Sequence, residues 1–283
     1  MNIDHPDVAQ LPTEKWHVTK QDANKALSGP GPTHGRPVRR DVLRLAIALG
    51  ALAAPGTLGA TSAKAADRSH VPGHLAGQDV TKLPLTERKV ALTFDCGSTP
   101  DGVDKVLTAL GEHALPATFF MTGRFASTHS DAARRIGHQH PGGNHSMTHP
   151  MFTKLTRDQR AREVWSAAGA INKAVGRPPV PFFRFPFGDV NRECIADVNA
   201  EGYVCVRWTV DTCGWKGTSG GATTDTVIDR VMEALTPGAI VLMHVGSTSA
   251  TDPSTVDATA LPHLIKAIND QGYGYTTLDA LFS

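Results

Sequence analysis

Two histidines four residues apart are the first candidates for chemistry in this sequence. His145 and His149 stand in the segment HSMTH, after a Gly-Gly pair and before a predicted helix start. Residues four apart share one face of a helical turn, and two imidazoles on one face can bind one cation, as in zinc sites. Two surface histidines would give the same spacing, so the pair indicates a metal site only together with its setting.

A carboxylate and an arginine are the second candidate pair. Asp95 follows the apolar run KVALTF and needs a partner or an open cleft, because an unpaired buried carboxylate is costly. Arg184 is flanked by aromatic residues in FFRFPFG, which favours a partly desolvated guanidinium that pairs with such a carboxylate.

A third histidine, His244, directly follows the apolar run IVLM. A hydrogen-bonded core histidine and a general acid both fit this position. The residues alone leave the two interpretations open.

Short apolar runs alternate with amphipathic segments from residue 88 onward, and these elements must position the candidate side chains. The apolar runs predict strands at 89–94, 116–123, 182–185, 203–210, 239–245 and 274–278. The amphipathic segments predict helices at 103–110, 130–137, 156–176, 192–200, 224–235 and 258–270. Thr156 and Gln159 predict a capping box at the start of the third helix. A loop is expected at 141–143, and the polar segment 246–262 is interpreted as a loop that either binds sugar or is only solvated.

This alternation indicates a parallel sheet covered by helices, either open and doubly wound or closed into a (β/α) barrel. The candidate residues help to choose between the two. Asp95, His145, Arg184, Asp211 and His244 each lie at or just after the end of a predicted strand. Because such ends converge on one face of a barrel, their distribution favours a (β/α) barrel.

The first 65 residues have the features of an export signal. The basic segment RRDVLR at 39–44 precedes the apolar AIALGALAAPGTLGA and a small-residue site, Ala63-Lys64-Ala65. The apolar run is too short for a stable membrane span, and Arg39 with Arg40 indicates the twin-arginine route. We therefore expect a cleaved signal at 1–65, a linker at 66–85 and a folded domain at 86–283, in a secreted protein without a membrane anchor.

The charge balance excludes one class of partner. Of the 28 Lys/Arg and 27 Asp/Glu residues, eight basic and five acidic ones precede residue 66, so the remainder carries a net charge of −2. No basic stripe remains, so nucleic acid is not an expected partner. With 40% hydrophobic and 19% charged residues, the chain is typical of a globular protein.

Five ordered motifs resemble the polysaccharide deacetylases of carbohydrate esterase family 4, which share the NodB-homology fold. TFDCG (93–97) is similar to the family's TFDDG, HSMTH (145–149) to H-S/T-x-x-H, and RFPFG (184–188) to R-x-P-[YF]-G. DTCGW (211–215) is similar to D-x-x-D-W, and LMH (242–244) to L-x-H. The resemblance covers about residues 86–281 and implies a distorted (β/α) barrel of about seven parallel strands.

The resemblance also implies a role for each matched residue. It makes Asp95 the general base, Arg184 the residue that orients it, and His244 the general acid. It makes His145 and His149 ligands of a divalent metal, with zinc as the expected ion.

Three further residues would contact the substrate by the same resemblance. A backbone N–H near Phe187 would stabilise the oxyanion, and Trp215 and Leu242 would line an acetyl pocket. The implied activity is metal-dependent hydrolysis of N-acetyl or O-acetyl groups on a polysaccharide such as chitin oligomers, peptidoglycan or acetylated xylan. The alternative is a carbohydrate-binding pseudoenzyme on the same fold, because two motif positions depart from the family's pattern.

The first departure is Cys96, which stands where the family has an Asp as third metal ligand. A Cys96 thiolate could bind the metal, which would favour zinc over harder ions. It could instead form a disulfide with Cys213, leaving Cys194 and Cys205 to pair, since an exported protein meets an oxidising environment. The third interpretation is a passive small residue.

The second departure is Gly214, which stands where the family has an Asp just before the Trp. That Asp would raise the basicity of the acid histidine. Asp211, three residues earlier, is the candidate replacement.

Overall fold

The computed structural model describes residues 71–97, 99–247 and 251–283. The predicted export signal at 1–65 lies outside these residues. Within the described ranges, no helix is both long enough and apolar enough to cross a membrane.

The strands of the described chain belong to one sheet. They are β1 (Asp79–Val80), β2 (Lys89–Cys96), β3 (Thr118–Met121), β4 (Gly142–Asn144), β5 (Phe182–Phe183), β6 (Val204–Val206), β7 (Val210–Asp211), β8 (Ile240–His244) and β9 (Gly274–Thr276). The order is β1-β6-β5-β4-β3-β2-β8-β7, and β9 pairs with the beginning of β2. Each of these pairings is parallel.

The residues that follow β1 curl this sheet toward closure. Lys82 forms an antiparallel bridge with Ala239, just before β8. The Leu83 N–H donates to the Gly238 carbonyl at 2.8 Å. Because β1 and β8 lie near opposite ends of the strand order, these contacts give a distorted (β/α) barrel, as predicted.

Helices follow most strands and pack along the sheet. They are α1 (Val103–Glu112), α2 (Gly123–Thr128), α3 (Ser130–Gln139), α4 (Arg157–Val175), α5 (Arg192–Ala200), α6 (Thr224–Glu233) and α7 (Val256–Asp270). The predicted capping box of Thr156 and Gln159 is present before α4, and Gly176 ends this helix at φ 82°.

The side chains of β2 alternate between two apolar clusters. Phe94 and Cys96 belong to the cluster that includes α1 and α7, on the helix-covered side. Ala91 belongs to a separate cluster with Phe120 on the inner side of the curled sheet. Because successive strand residues point to opposite faces, Asp95 points to the inner side and Cys96 away from it.

Two local predictions differ from the structure. The sequence predicts a loop at 141–143, but residues 142–144 form β4 between β3 and β5. The predicted strand 203–210 is split, because the Arg207 N–H donates to Val80 in β1 while the Thr209 N–H donates to Ile240 in β8. The change of partner separates β6 from β7, and together with β1 and β4 this gives nine described strands.

The folded domain also begins earlier than residue 86. Residues 71–85, predicted as part of a linker, contribute β1 and the buried side chains of Leu75, Val80 and Leu83. A two-residue strand has too few positions for an alternating pattern, so the sequence gives no strand signal there.

Candidate active site

A buried ion pair joins the ends of β2 and β5. Asp95 is 6% exposed and Arg184 is fully buried. Arg184 Nη1 donates to Asp95 Oδ1 at 2.8 Å, and its Nη2 donates to Thr93 Oγ1 at 2.9 Å. The guanidinium lies over the Phe120 ring, 4.1 Å from its centroid. The predicted partnership of Asp95 and Arg184 is therefore present, with the guanidinium held on several sides.

The environment of Asp95 favours its ionised form. Burial alone would raise the pKa of Asp95, but His145 and Arg184 outweigh it and hold the pKa below its ordinary value. Asp95 Oδ1 accepts from Arg184, while Oδ2 lies 3.2 Å from His145 Nε2.

His145 follows β4 and is fixed in one orientation. Its Nδ1–H donates to the Arg184 carbonyl at 2.7 Å, which leaves the Nε2 lone pair directed toward Asp95. Burial lowers the pKa of His145, although the Asp95 carboxylate opposes this shift. The imidazole is therefore neutral at neutral pH, as a metal ligand must be.

His149 reaches the same place through a loop rather than a helical turn. Ser146 and His149 both have left-handed backbone, with φ 66° and 63°, and the His149 N–H donates to Ser146 Oγ at 3.0 Å. The rings of His145 and His149 meet edge to face, with centroids 4.9 Å apart. Burial and the nearby His145 lower the pKa of His149 to about 3, so this imidazole is also neutral.

Helix α4 holds the backbone between the two histidines. Glu163 Oε2 accepts from the Met147 and Thr148 N–H groups at 2.9 and 2.8 Å, and its Oε1 accepts from Thr148 Oγ1 at 2.8 Å. Asn144 Nδ2 donates to the Val164 carbonyl of the same helix at 2.8 Å. The loop is thus fixed by one carboxylate and one amide.

Cys96 lies apart from this cluster. Its side chain is buried on the helix-covered side of β2, and burial with the Asp95 charge raises the pKa of its thiol well above the ordinary value. A thiolate ligand at this position is disfavoured on both grounds. Of the three interpretations of Cys96, the passive small residue agrees with its packing.

The disulfide interpretation of Cys96 does not agree with the structure. All four cysteines are free thiols, with Cys96, Cys194 and Cys205 buried and Cys213 half-buried. Cys213 lies in the turn after β7, whereas Cys96 points toward the helices, so the two side chains do not lie together at one opening of the site.

His244 ends β8 directly opposite Asp95 in the parallel register. Its side chain is 20% exposed, and its Nδ1 lies 3.6 Å from Oδ2 of Asp257. Burial alone would lower the pKa of His244, but Asp257 and the charges of Asp95 and Asp211 outweigh it and raise the pKa. A raised pKa favours the protonated imidazole that a general acid needs.

The Asp211 side chain accepts hydrogen bonds within its own turn. Its Oδ1 accepts from the Cys213 N–H at 2.8 Å, and its Oδ2 accepts from Trp215 Nε1 at 3.4 Å. Its charge still contributes to the raised pKa of His244, as a smaller cause than Asp257. The carboxylate nearest to the His244 imidazole among the ion pairs of the described residues belongs to Asp257.

The three predicted substrate contacts occupy different depths. Phe187 has left-handed backbone (φ 59°), is 58% exposed, and its ring contacts His149 with centroids 4.4 Å apart. The Trp215 ring lies 6.4 Å from the His244 ring. Leu242 is 2% exposed and lies two residues before His244 on the same strand face. Phe187 thus lies beside His149 and Trp215 beside His244, and Leu242 is buried on the strand that ends at His244.

The donor set fits a divalent cation only in part. His145 and His149 provide two neutral imidazoles close together. Within the described ranges, no group of three or more His, Cys, Asp or Glu side chains is arranged to hold a metal ion. A cation here would take two protein nitrogens and complete its shell with other ligands.

Sequence reasoning missed three residues that contact the site or its loops. Asp257 lies in the segment 246–262, interpreted as a polar loop, yet α7 begins at Val256 and buries Asp257. Glu163 and Asn144 carry no chemical signature of their own. Their importance follows from the fold, which brings α4 against the histidine loop.

Comparisons with known proteins show similarity to polysaccharide deacetylases. A family model described as polysaccharide deacetylase matches residues 82–206. A chitooligosaccharide deacetylase from Sinorhizobium fredii is 35% identical over 191 residues, covering 65% of this chain and 87% of that protein. A peptidoglycan-N-acetylglucosamine deacetylase from Bacillus cereus is 30% identical over 200 residues, covering 70% of each.

A solved structure extends the range of similar proteins. A family 4 carbohydrate esterase pseudoenzyme from Bacillus anthracis is 27% identical, with a TM-score of 0.66, and the match covers 74% of this chain and 70% of that one. A mutant of that pseudoenzyme has restored enzymatic activity. The proteins that are similar to this chain therefore include both deacetylases and a pseudoenzyme.

Proposed function

Because the chain belongs to the polysaccharide deacetylase family, we propose that it hydrolyses acetyl groups on an extracellular polysaccharide. The observation that carries the proposal is the pairing of ionised Asp95 with Arg184, directly opposite His244 with its raised pKa. A carboxylate base and a protonated imidazole at one strand-end face are what hydrolysis of an amide or ester requires.

Each residue has a defined task in the proposed reaction. Asp95 accepts a proton from the attacking water, and Arg184 holds Oδ1 so that the carboxylate keeps its orientation. Protonated His244 donates its proton to the leaving amine or alcohol as the bond to the acetyl carbon breaks, and acetate is released. Trp215 and Leu242 line the acetyl pocket, and a backbone N–H near Phe187 stabilises the oxyanion.

A divalent cation, with zinc as the expected ion, would be held by His145 and His149. Bound there, it would acidify a water and polarise the acetyl carbonyl. The neutral state and the edge-to-face contact of the two imidazoles support this assignment. To test it, bound zinc is measured in the isolated protein and in His145→Gln. Equal zinc contents would contradict it.

The substrate proposal favours N-acetylglucosamine polymers. Similar proteins are named for peptidoglycan N-acetylglucosamine and chitooligosaccharides, and acetylated xylan represents the ester class. The test measures acetate release from all three substrates by the wild type and by Asp95→Asn. We expect the substitution to lower kcat by about 10²-fold or more, because it removes the general base.

Asp131→Asn is the matched control. This carboxylate is 83% exposed and pairs with Arg134 on α3, so its removal should leave acetate release unchanged. Absence of acetate release from every substrate, in zinc-supplemented wild type, would overturn the proposal.

A binding module is the second candidate, because Cys96 points away from the site and supplies no third ligand. Its test is calorimetric titration of chitooligosaccharide into zinc-supplemented protein. Binding without acetate release would support the pseudoenzyme, whereas binding followed by acetate release would support the deacetylase.

We also propose export by the twin-arginine route. The support is the sequence alone, with Arg39 and Arg40 before the apolar run and Ala63-Lys64-Ala65 after it. Replacing both arginines by lysine should keep the chain in the producing cells. Mature protein in the medium with an N-terminus at Ala66 is the expected wild-type result.

A further inference from the structure

A buried carboxylate outside the five motifs lies beside His244. Asp257, in the first turn of α7, is 1% exposed. Its Oδ2 accepts from the His244 N–H at 2.8 Å and lies 3.6 Å from His244 Nδ1. Asp257 Oδ1 and His244 Nδ1 have no hydrogen-bond partner among the described residues. Each of the two side chains thus has one buried polar atom without a hydrogen-bond partner, and the two side chains approach to 3.6 Å.

The place of this carboxylate depends on Gly214. A Cβ atom built on Gly214 would overlap with Oδ1, Cγ and Oδ2 of Asp257. Gly214 is itself buried, in the short 3-10 helix after β7. The absence of a side chain at position 214 therefore leaves the room that the Asp257 carboxylate occupies.

We propose that Asp257 is the positioning residue of His244, and that α7 supplies through it the carboxylate that position 214 lacks. Nδ1–H directed at Asp257 fixes the imidazole tautomer, so that Nε2 is the atom available to a substrate. The 3.6 Å separation is longer than a hydrogen bond, and a shift of a few tenths of an ångström would form one. This inference rests on the proposed deacetylase function for its catalytic meaning.

The other charged groups around His244 do not replace Asp257. Asp95 on β2 is paired with Arg184, and Asp211 on β7 is hydrogen-bonded within its own turn. Both act on His244 only through their charge. His145 and His149, whose pKa values are lowered, are neutral at neutral pH and add no charge there. Asp257 is the carboxylate that also contacts the His244 backbone.

The first experiment follows the titration of the His244 ring by NMR in substrate-free, chelated protein. In Asp257→Asn the midpoint should fall by about one pH unit or more, because a carboxylate partner is lost. Gly214→Ala should give a shift in the same direction, because its Cβ displaces the carboxylate. Asp225→Asn, which removes an exposed first-turn carboxylate of α6, should titrate like the wild type.

The second experiment is a relocation of the carboxylate. In the double variant Asp257→Ala with Gly214→Asp, a side chain at position 214 enters the space that Asp257 leaves. We expect the double variant to regain most of the wild-type titration midpoint of His244. We also expect its kcat to be at least tenfold higher than that of Asp257→Ala, with KM unchanged. A purely structural Asp257 would not be rescued in this way.

The outcomes separate this inference from the proposed function. A folded Asp257→Asn and a folded Gly214→Ala that both titrate like the wild type would overturn the inference, even in an active deacetylase. A shifted midpoint in a protein that releases no acetate would support the contact while contradicting the proposed function.

Discussion

At the scale of single residues, the candidate site depends most on the hydrogen bonds of the Arg184 guanidinium. Arg184 is fully buried, and its guanidinium donates to Asp95, to Thr93 and to the Arg207 carbonyl. Replacing it by Met keeps most of its volume but leaves the Asp95 carboxylate without its cation. We expect Arg184→Met to lower the free energy of unfolding by about 3–5 kcal/mol, measured by urea denaturation.

Arg134→Met is the matched control for this prediction. Arg134 forms an ion pair with Asp131 on the surface of α3, with 55% of its side chain exposed. Its removal should change the unfolding free energy by less than about 1 kcal/mol. Similar losses in the two variants would contradict the assigned importance of the buried pair.

His149 makes the metal-free protein sensitive to acid. Its pKa falls from 6.5 to about 3 on folding, so between these values the unfolded chain binds a proton that the folded chain does not. Stability should therefore decline as the pH falls from 6.5 toward 3. Asn tolerates the left-handed backbone at this position, so His149→Asn removes the titration without backbone strain.

The measurement is the urea unfolding free energy of chelated protein at several pH values between 7.5 and 4, and the wild type should lose more than His149→Asn. Parallel curves for the two proteins would show that His149 is not the group responsible.

At the scale of elements, α4 positions the histidine loop through Glu163. The variant Glu163→Ala removes the acceptor of the Met147 and Thr148 N–H groups. We expect faster amide hydrogen exchange at Thr148 and a zinc affinity lowered by about 10-fold or more, since partners of metal-ligand loops act at this level. A chromophoric chelator competition gives the affinity.

Thr156→Ala separates loop positioning from helix stability. It removes the capping side chain of the same helix without touching the histidine loop, and should cost about 1 kcal/mol of stability. Zinc affinity should stay at the wild-type value in this variant. If Glu163→Ala also keeps that affinity, the helix does not position the loop.

The sequence predicted the elements that have a strong local signal. Helix α4 carries both a capping box and a terminal glycine, and β2 is a continuous apolar run, so both appear where expected. Strand β4 reads Gly-Gly-Asn, which has no strand propensity, and it forms because β3 and β5 pair with it on both sides. Strand β4 therefore forms because of its tertiary contacts and not because of its local sequence.

The candidate site divides in the same way. The apolar surroundings of Asp95 and Arg184 predicted their contact. The four-residue spacing predicted that His145 and His149 come together, although a loop rather than a helical turn brings them there. The sequence did not predict the face of β2 to which the Cys96 side chain points, or the position of Asp257 beside His244. The first depends on β2 continuing through Cys96, and the second on packing of α7 against the turn at Gly214.

At the scale of the whole molecule, the segment 71–85 belongs to the barrel. Leu75, Val80 and Leu83 are buried, and the Val80 carbonyl accepts from Arg207 N–H at 2.7 Å. The Arg207 carbonyl in turn accepts from Arg184 Nη2 at 3.0 Å. Two hydrogen bonds therefore connect β1 to the ion pair of the candidate site.

This connection predicts opposite results for two truncations. A chain that begins at residue 71 keeps every buried contact of the described segment and should unfold like the full chain. A chain that begins at residue 86 loses three buried apolar side chains, worth about 5 kcal/mol together, and the support of Arg207. Urea denaturation of both chains measures this difference. Equal unfolding free energies would place the domain boundary at residue 86 after all, whereas a loss confined to the shorter chain makes β1 part of the structure that holds Arg184 in place.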